Sequence, residues 1–242
     1  MSSTLFVSDL HLSPTRPAIA ERFQAFLANE ARHAQALYIL GDLFDYWAGD
    51  DDIGAPFNAT LCDGLSSLAK AGTGVYLQVG NRDFLIGKDF AAAAGATLLE
   101  EHALVDVEGT PTLLLHGDTL CTSDVEYQRF RSEVRNSNWR SDFLSLPLAE
   151  RKAQIEALRR RSEAAKEGKT MALMDVDAMA VTELFRQFAT PPRMIHGHTH
   201  RPACHHLFCD GQPCERWVLA AWDDQPSYLH VDRAGCRAIA LD

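Results

Sequence analysis

The sequence predicts a layered α/β domain whose functional groups gather along one edge. Three observations lead there. Five short β-like runs each stop at a cluster of Asp, Asn or His, and amphipathic helical patterns separate them. The chain has 242 residues, 46% hydrophobic and 23% charged, which suits a soluble globular protein with one sizeable core and no need of disulfide staples. Strands alternating with helices, with polar residues at the strand ends, place a site at the carboxyl edge of the sheet.

The first run, Thr4–Ser8, leads into Asp9-Leu10-His11. Ile19, Phe23, Phe26 and Leu27 then recur at three and four, a helix, before Ala36–Leu40 leads into Gly41-Asp42. A second helix carries Leu61, Leu65 and Leu68, and Gly74–Val79 leads into Gly80-Asn81. Thr112–Leu115 ends at His116-Gly117-Asp118. Residues 124–180 break this rhythm with helices over Val125–Arg135, Pro147–Lys166 and from about Ala172 to Phe188. They read as a helical cap inserted into a single domain whose core is 1–123 and 181–242. Arg193–Ile195 ends at His196-Gly197-His198-Thr199-His200, and strands at Trp217–Ala221, Ser227–Val231 and Arg237–Leu241 complete the chain.

The net charge of −10 argues against a general nucleic-acid partner. Its distribution is uneven. Residues 126–170 hold 11 of the 23 basic and 7 of the 33 acidic residues, a local +4, which leaves −14 elsewhere. Such a segment meets an anionic ligand or surface, or it is a solvated helix face. No apolar run approaches the roughly 20 residues needed to span a bilayer. Met1–Phe6 has no basic n-region, so the sequence predicts no signal peptide and a cytosolic chain. The six cysteines form no C-x-x-C pair and read as free thiols; Cys204-His205-His206 with Cys209 and Cys214 lacks the paired spacing of a structural zinc site.

The strand-end residues carry the chemistry. Asp9 and His11 are two apart, so strand periodicity puts both on one face. Asp42, Asn81, His116, His198 and His200 add donors at four further strand ends. Any one of them could be a buried, hydrogen-bonded polar residue; together they describe a metal centre. Mixed oxygen and nitrogen donors suit manganese, iron or zinc better than calcium.

The order D-x-H, G-D-x-x-D, G-N, H and G-H-x-H, across residues 9–200, resembles the calcineurin-like metallophosphoesterase superfamily. That resemblance implies a four-layer α/β/β/α sandwich, here with a helical cap insertion. It also implies two metal ions: Asp9, His11, Asp42 and His200 hold the first, and Asp42, Asn81, His116 and His198 the second, with Asp42 bridging. Asn81, Arg82, His116 and His198 take the catalytic roles, and Asp45 orients a ligand from outside. Many members follow Gly-Asn with a histidine, whereas this chain has Arg82. An arginine forks onto phosphate but cannot be a general acid near neutral pH, which points to a substrate with more than one phosphoryl group.

Ser8–Leu12, Tyr38–Phe44, Gly80–Gly87, His116–Thr122, Met174-Asp175-Val176 and His196–Pro202 are further similar to the UDP-2,3-diacylglucosamine diphosphatases of Gram-negative lipid A synthesis, over about residues 4–232. The resemblance implies cleavage of the pyrophosphate of UDP-2,3-diacylglucosamine to UMP and 2,3-diacylglucosamine 1-phosphate. It implies manganese as cofactor, two ions per subunit, and peripheral attachment to the cytoplasmic side of the inner membrane. It carries substrate contacts onto Asn81, Arg82, Asp124, Ser162, Lys166, Lys169 and His198, with Lys166 standing where a small polar residue such as asparagine is expected. Trp139, Phe143, Leu144, Leu146 and Leu148 either sheathe an acyl chain or pack the cap onto the body. The other enzymatic reading is a soluble nucleotide pyrophosphatase or phosphodiesterase of the same superfamily; a metal-free scaffold is the non-enzymatic one.

Overall fold

Two β-sheets face each other, with helices covering both outer surfaces. The computed structural model describes residues 3–166, 175–223 and 225–241, of which 161–166 are described by their backbone alone. In chain order the elements are β1 (Thr4–Val7), α1 (Pro17–Ala28), β2 (Ala36–Leu40), α2 (Pro56–Lys70), β3 (Gly74–Gln78), α3 (Lys88–Ala94), β4 (Ala96–Leu98), β5 (His102–Val107) and β6 (Thr110–Leu115). Then follow α4 (Val125–Val134), α5 (Ser137–Ser145), α6 (Leu148–Lys166), α7 (Ala178–Gln187), β7 (Arg193–His196), β8 (Ala203–Cys209), β9 (Gln212–Val218), β10 (Ser227–Asp232) and β11 (Gly235–Ala240). The first sheet runs β11-β10-β1-β2-β3-β4 and the second β5-β6-β7-β9-β8.

Strand alternation builds the layers. Leu5, Val7, Leu37 and Ile39 point outward to α1–α3, where Phe23, Phe26, Leu65 and Phe90 meet them. Phe6, Tyr38 and Leu40 point inward against Leu114 and Ile195 of the second sheet. The Phe6, Tyr38 and Tyr76 rings stack at 4.9 and 4.5 Å along this inner face. On the far side Leu113, Leu115 and Met194 pack against Val181, Leu184 and Phe185 of α7. This is the expected α/β/β/α order, with one change: the five polar strand ends come from both sheets, β1–β3 from one and β6–β7 from the other.

The structure corrects several element boundaries. α7 starts at Ala178, not near Ala172, because the Asp177 carboxylate accepts from the Met179 and Ala180 amides and caps the helix there; residues 172–174 lie outside the described ones. Of the strand expected at Trp217–Ala221 only Trp217 and Val218 belong to a strand, as the end of β9, which starts at Gln212 and pairs antiparallel with β8. β4, β5, β8, α3 and α5 are additional: β5 is half-buried, β8 largely solvent-exposed, α3 mostly alanine and α5 mostly polar, so neither pattern nor hydrophobicity announces them. All six cysteines are free thiols.

α5 and α6 pack on the first sheet's helical side, and α4 is tied to the loop after β6 through Asp118. Phe143 joins the core beside Trp47 and Leu85, its ring stacked on Trp139 at 4.7 Å. Arg151, only 2% exposed, ties α6 to the loop after β2 through the Ala48 carbonyl and the Asp51 carboxylate, and Lys152 pairs with Asp52 at 2.7 Å. Among the described residues no helix is long and apolar enough to cross a membrane.

Candidate active site

The loops leaving β1 and β2 remain paired beyond the strands, through Asp9 N–H to Gly41 C=O (3.1 Å) and His11 N–H to Asp42 C=O (3.0 Å). Asp9 and His11 lie past the end of β1 with φ of 55° and 48°, so a turn, rather than strand periodicity, brings them together. Asp42, His198 and His200 share this left-handed backbone, at φ of 52°, 69° and 55°. Left-handed non-glycine residues cost roughly 1–3 kcal/mol each and persist where the surroundings over-determine them. The concentration at strand ends marks a functional site. Close approach also demands glycine: a Cβ on Gly80 would collide with the Asp42 carboxylate, and one on Gly197 with Ser8 and Asp9.

Seven residues expected as ligands join one set of contacts. His200 Nε2 lies 3.3 Å from Asp9 Oδ1 and 3.5 Å from His11 Nε2. Asp42 turns Oδ2 to His11 (3.8 Å) and Oδ1 to His116 (3.7 Å). Asn81 Oδ1 sits 3.0 Å from His116 Nε2 and 2.9 Å from His198 Nδ1. The Leu40 carbonyl holds His116 Nδ1 at 2.9 Å, which aims Nε2 into the site. Asp9 with His11 and His200, and Asp9 with Asp42 and His116, each bring donor atoms within 4.8 Å of one another.

These residues fit divalent cations. Asp9 Oδ1 and His11 Nδ1 are buried and receive no hydrogen bond, and the imidazoles of His11 and His200 turn ring nitrogens toward each other. Burial pushes His11 down to about 3 and His198 to about 4, leaving both as neutral donors. Burial lifts Asp42 to about 7. For His116 burial acts downward, but Asp42, Asp9 and Asp118 outweigh it and raise the group to about 9. Asp9 is buried too, yet its ion pair with His200 and the nearby imidazoles hold it below the usual carboxylate range. Bound dications reverse such proton loading, because ligands bind deprotonated.

Other sequence expectations land differently. Asp45 faces two guanidiniums, Arg82 at 3.6 Å and Arg159 at 2.7 Å. Arg82 donates its backbone N–H to Asp42 Oδ1 at 2.8 Å, tying its loop to the shared carboxylate. Asp124 caps α4 by accepting from Tyr127 N–H at 3.1 Å. Ser162 and Lys166 fall on α6, with the backbone alone described, and Lys169 lies outside the described residues. Cys204, His206 and Glu215 do converge, from two paired strands, but Glu215 is already engaged by Arg193 at 2.5 Å.

Two features escaped sequence reading. Asp83, beside Arg82, is fully buried and accepts from the Gly80, Asp42, Leu43 and Phe44 amides, so it laces together the two loops that present Asn81 and Asp42. Burial raises its pKa, against the pull of the Gly80 amide and His116. Asp118 accepts from Tyr127 Oη and Arg131 Nε, both at 2.7 Å, while Arg135 donates to the Gly80 carbonyl at 2.9 Å. Both depend on contacts across the fold. Beside Asn81 and Arg82 opens a cavity of ≈ 320 Å³ walled by Trp47, Phe84, Leu85, Tyr127, Phe130, Trp139, Phe143, Ile155 and Leu158.

Facing sheets with acidic, amide and imidazole donors at their joined edge define a metallophosphoesterase-type hydrolase with a dinuclear metal site, and residues 2–202 match the calcineurin-like phosphoesterase family. A protein of Aromatoleum aromaticum called UDP-2,3-diacylglucosamine hydrolase is 52% identical over 96% of this chain and 94% of its own. Proteins of the same name from Proteus mirabilis (48%, 94% of each chain) and Cellvibrio japonicus (46%, 96% of each chain) are similar. The chain belongs to this UDP-2,3-diacylglucosamine hydrolase family. Among solved structures, an archaeal phosphodiesterase aligns over 99% of both chains at 12% identity with a TM-score of 0.48.

Proposed function

We propose that this enzyme hydrolyses the diphosphate of UDP-2,3-diacylglucosamine to UMP and 2,3-diacylglucosamine 1-phosphate. The observation that carries the reading is the apolar ≈ 320 Å³ cavity opening directly beside Asn81 and Arg82. A soluble nucleotide offers nothing to fill it, whereas each methylene buried there is worth about 0.8 kcal/mol.

Asp9, His11, Asp42 and His200 hold one ion, and Asp42, Asn81, His116 and His198 the other, with manganese suited to this oxygen–nitrogen donor set. Two divalent ions supply Lewis acidity at the phosphoryl oxygens and lower the pKa of water. The chain's own residues do the rest. Arg82, carried on the loop that also presents Asn81, forks onto phosphate oxygens. The helical segment within 124–180 caps a core of 1–123 and 181–242 and receives acyl chain. Asp124, Ser162, Lys166 and Lys169 contact the sugar and phosphates. Because the acyl chains reside in a bilayer, the enzyme works peripherally at the cytoplasmic side of the inner membrane.

The test is turnover with manganese of the acylated UDP-sugar against the same sugar without its acyl chains. The reading expects UMP from the first and little from the second; equal rates would support the soluble-nucleotide reading instead.

A further inference from the structure

Two guanidiniums from different parts of the fold end on one carboxylate. Arg159 of α6 reaches Asp45 Oδ2 at 2.7 Å, and Arg82, from the loop after β3, approaches Asp45 Oδ1 at 3.6 Å. The Arg159 guanidinium lies over the Tyr46 ring, 5.7 Å from its centroid, which aligns the fork. All four residues line the cavity, and neither arginine is sealed from it: their side chains are 29% and 22% exposed. Two guanidiniums thus share one carboxylate at a partly desolvated mouth, where either can turn a fork to an entering anion. Desolvation strengthens their attraction for an anion.

Position along the cavity says which anion. Asn81 and Arg82 stand at its polar end, beside the metal-donor cluster, and Ile155 and Leu158 belong to its apolar wall. Arg159 follows Leu158 on α6 and meets Arg82 across Asp45, so it joins the apolar wall to the polar end. A diphosphate spanning this distance places one phosphoryl group at the donor cluster and the other next to the acylated part. We propose that Arg159 is a substrate-binding residue for the second phosphoryl group, the one that stays on the acylated sugar. Asp45 is its partner while the site is free of substrate. This rests on the functional reading above.

The experiment measures direct binding of two lipids to the full manganese-loaded chain, using the fluorescence of Trp47 and Trp139 in the cavity wall. One is 2,3-diacylglucosamine 1-phosphate and the other the same lipid without its phosphate. Arg159→Gln weakens the phosphorylated lipid about tenfold or more, as expected for a lost charge-assisted fork, and changes the other by about twofold or less. Arg159→Lys keeps charge and stem and falls between parent and Arg159→Gln, so a folding defect in the glutamine variant leaves a second readout. Parent-like binding of the phosphorylated lipid by both variants overturns the proposal, as does an equal loss on both lipids, which makes Arg159 a packing residue. A parent that binds both lipids but releases no UMP from the diphosphate contradicts the functional reading instead.

Discussion

Replacing Asp83 with asparagine separates the architecture of this site from its ligands. The Asp83 carboxylate takes four backbone amides: Gly80 (2.7 Å) and Asp42 (3.3 Å) on Oδ1, Leu43 (2.8 Å) and Phe44 (3.4 Å) on Oδ2. All four contacts are donors, so an asparagine amide nitrogen finds no acceptor in either orientation. Each oxygen carries one short bond, so the variant loses a short bond whichever way it turns and points an NH2 at buried N–H groups. A bond to a charged acceptor contributes about 1.5–3 kcal/mol net and a buried unsatisfied donor costs about 1–3, which together give roughly 2.5–6 kcal/mol. At about 2–4 °C per kcal/mol for a chain of this size, Tm falls by roughly 5–24 °C. The loops presenting Asp42 and Asn81 lose their tie, and a displacement near 1 Å costs about a hundredfold in rate. The assay pairs thermal unfolding with kcat at saturating manganese and at a temperature where the variant is still folded. A Tm within about 1 °C of the parent together with an unchanged rate would refute the lacing role.

Asp42→Ala should nearly abolish turnover and leave fewer than two tightly bound ions per chain by elemental analysis, while His116→Ala should abolish turnover with a single ion retained. Arg82→Lys should lower kcat/KM about tenfold or more, because a point charge cannot hold two phosphate oxygens. Phe143→Ser should cost about 3–5 kcal/mol in chemical denaturation, since Phe143 is core as well as cavity wall, whereas Phe130→Ser, at a wall residue 40% exposed, should spare stability and weaken the acylated substrate selectively. Asp118 is buried, which raises its pKa, but His116, Arg131, His198 and Arg135 outweigh that and hold it low. Its stabilisation is therefore present above its ordinary 3.8 and lost as pH falls below it, so Asp118→Asn should flatten the acid limb of the stability–pH curve.

The layered fold was legible because β1, β2, β6 and β7 announce themselves as short apolar runs ending in Asp, Gly or His. The candidate donors were legible because each lies within a few residues of the end of a strand-like run. What stayed hidden depends on the third dimension. Asp9 and His11 look like strand neighbours but owe their convergence to left-handed backbone. Asp83 is one more polar residue after Arg82 in the sequence, yet it is buried under four amides contributed by two loops some forty residues apart. Arg159 is one of three consecutive arginines in the sequence, and only packing of α6 singles it out for Asp45. Phe143 was readable as apolar but not as core or groove, and it is part of both.

Phosphorus NMR of UDP-2,3-diacylglucosamine incubated with the manganese-loaded chain tests the central claim most directly. The account predicts that the two diphosphate resonances give way to one for UMP and one for 2,3-diacylglucosamine 1-phosphate in equal amounts, and that Asp42→Ala leaves the diphosphate intact. Unchanged diphosphate with the parent chain, or release of UDP in place of UMP, would contradict it.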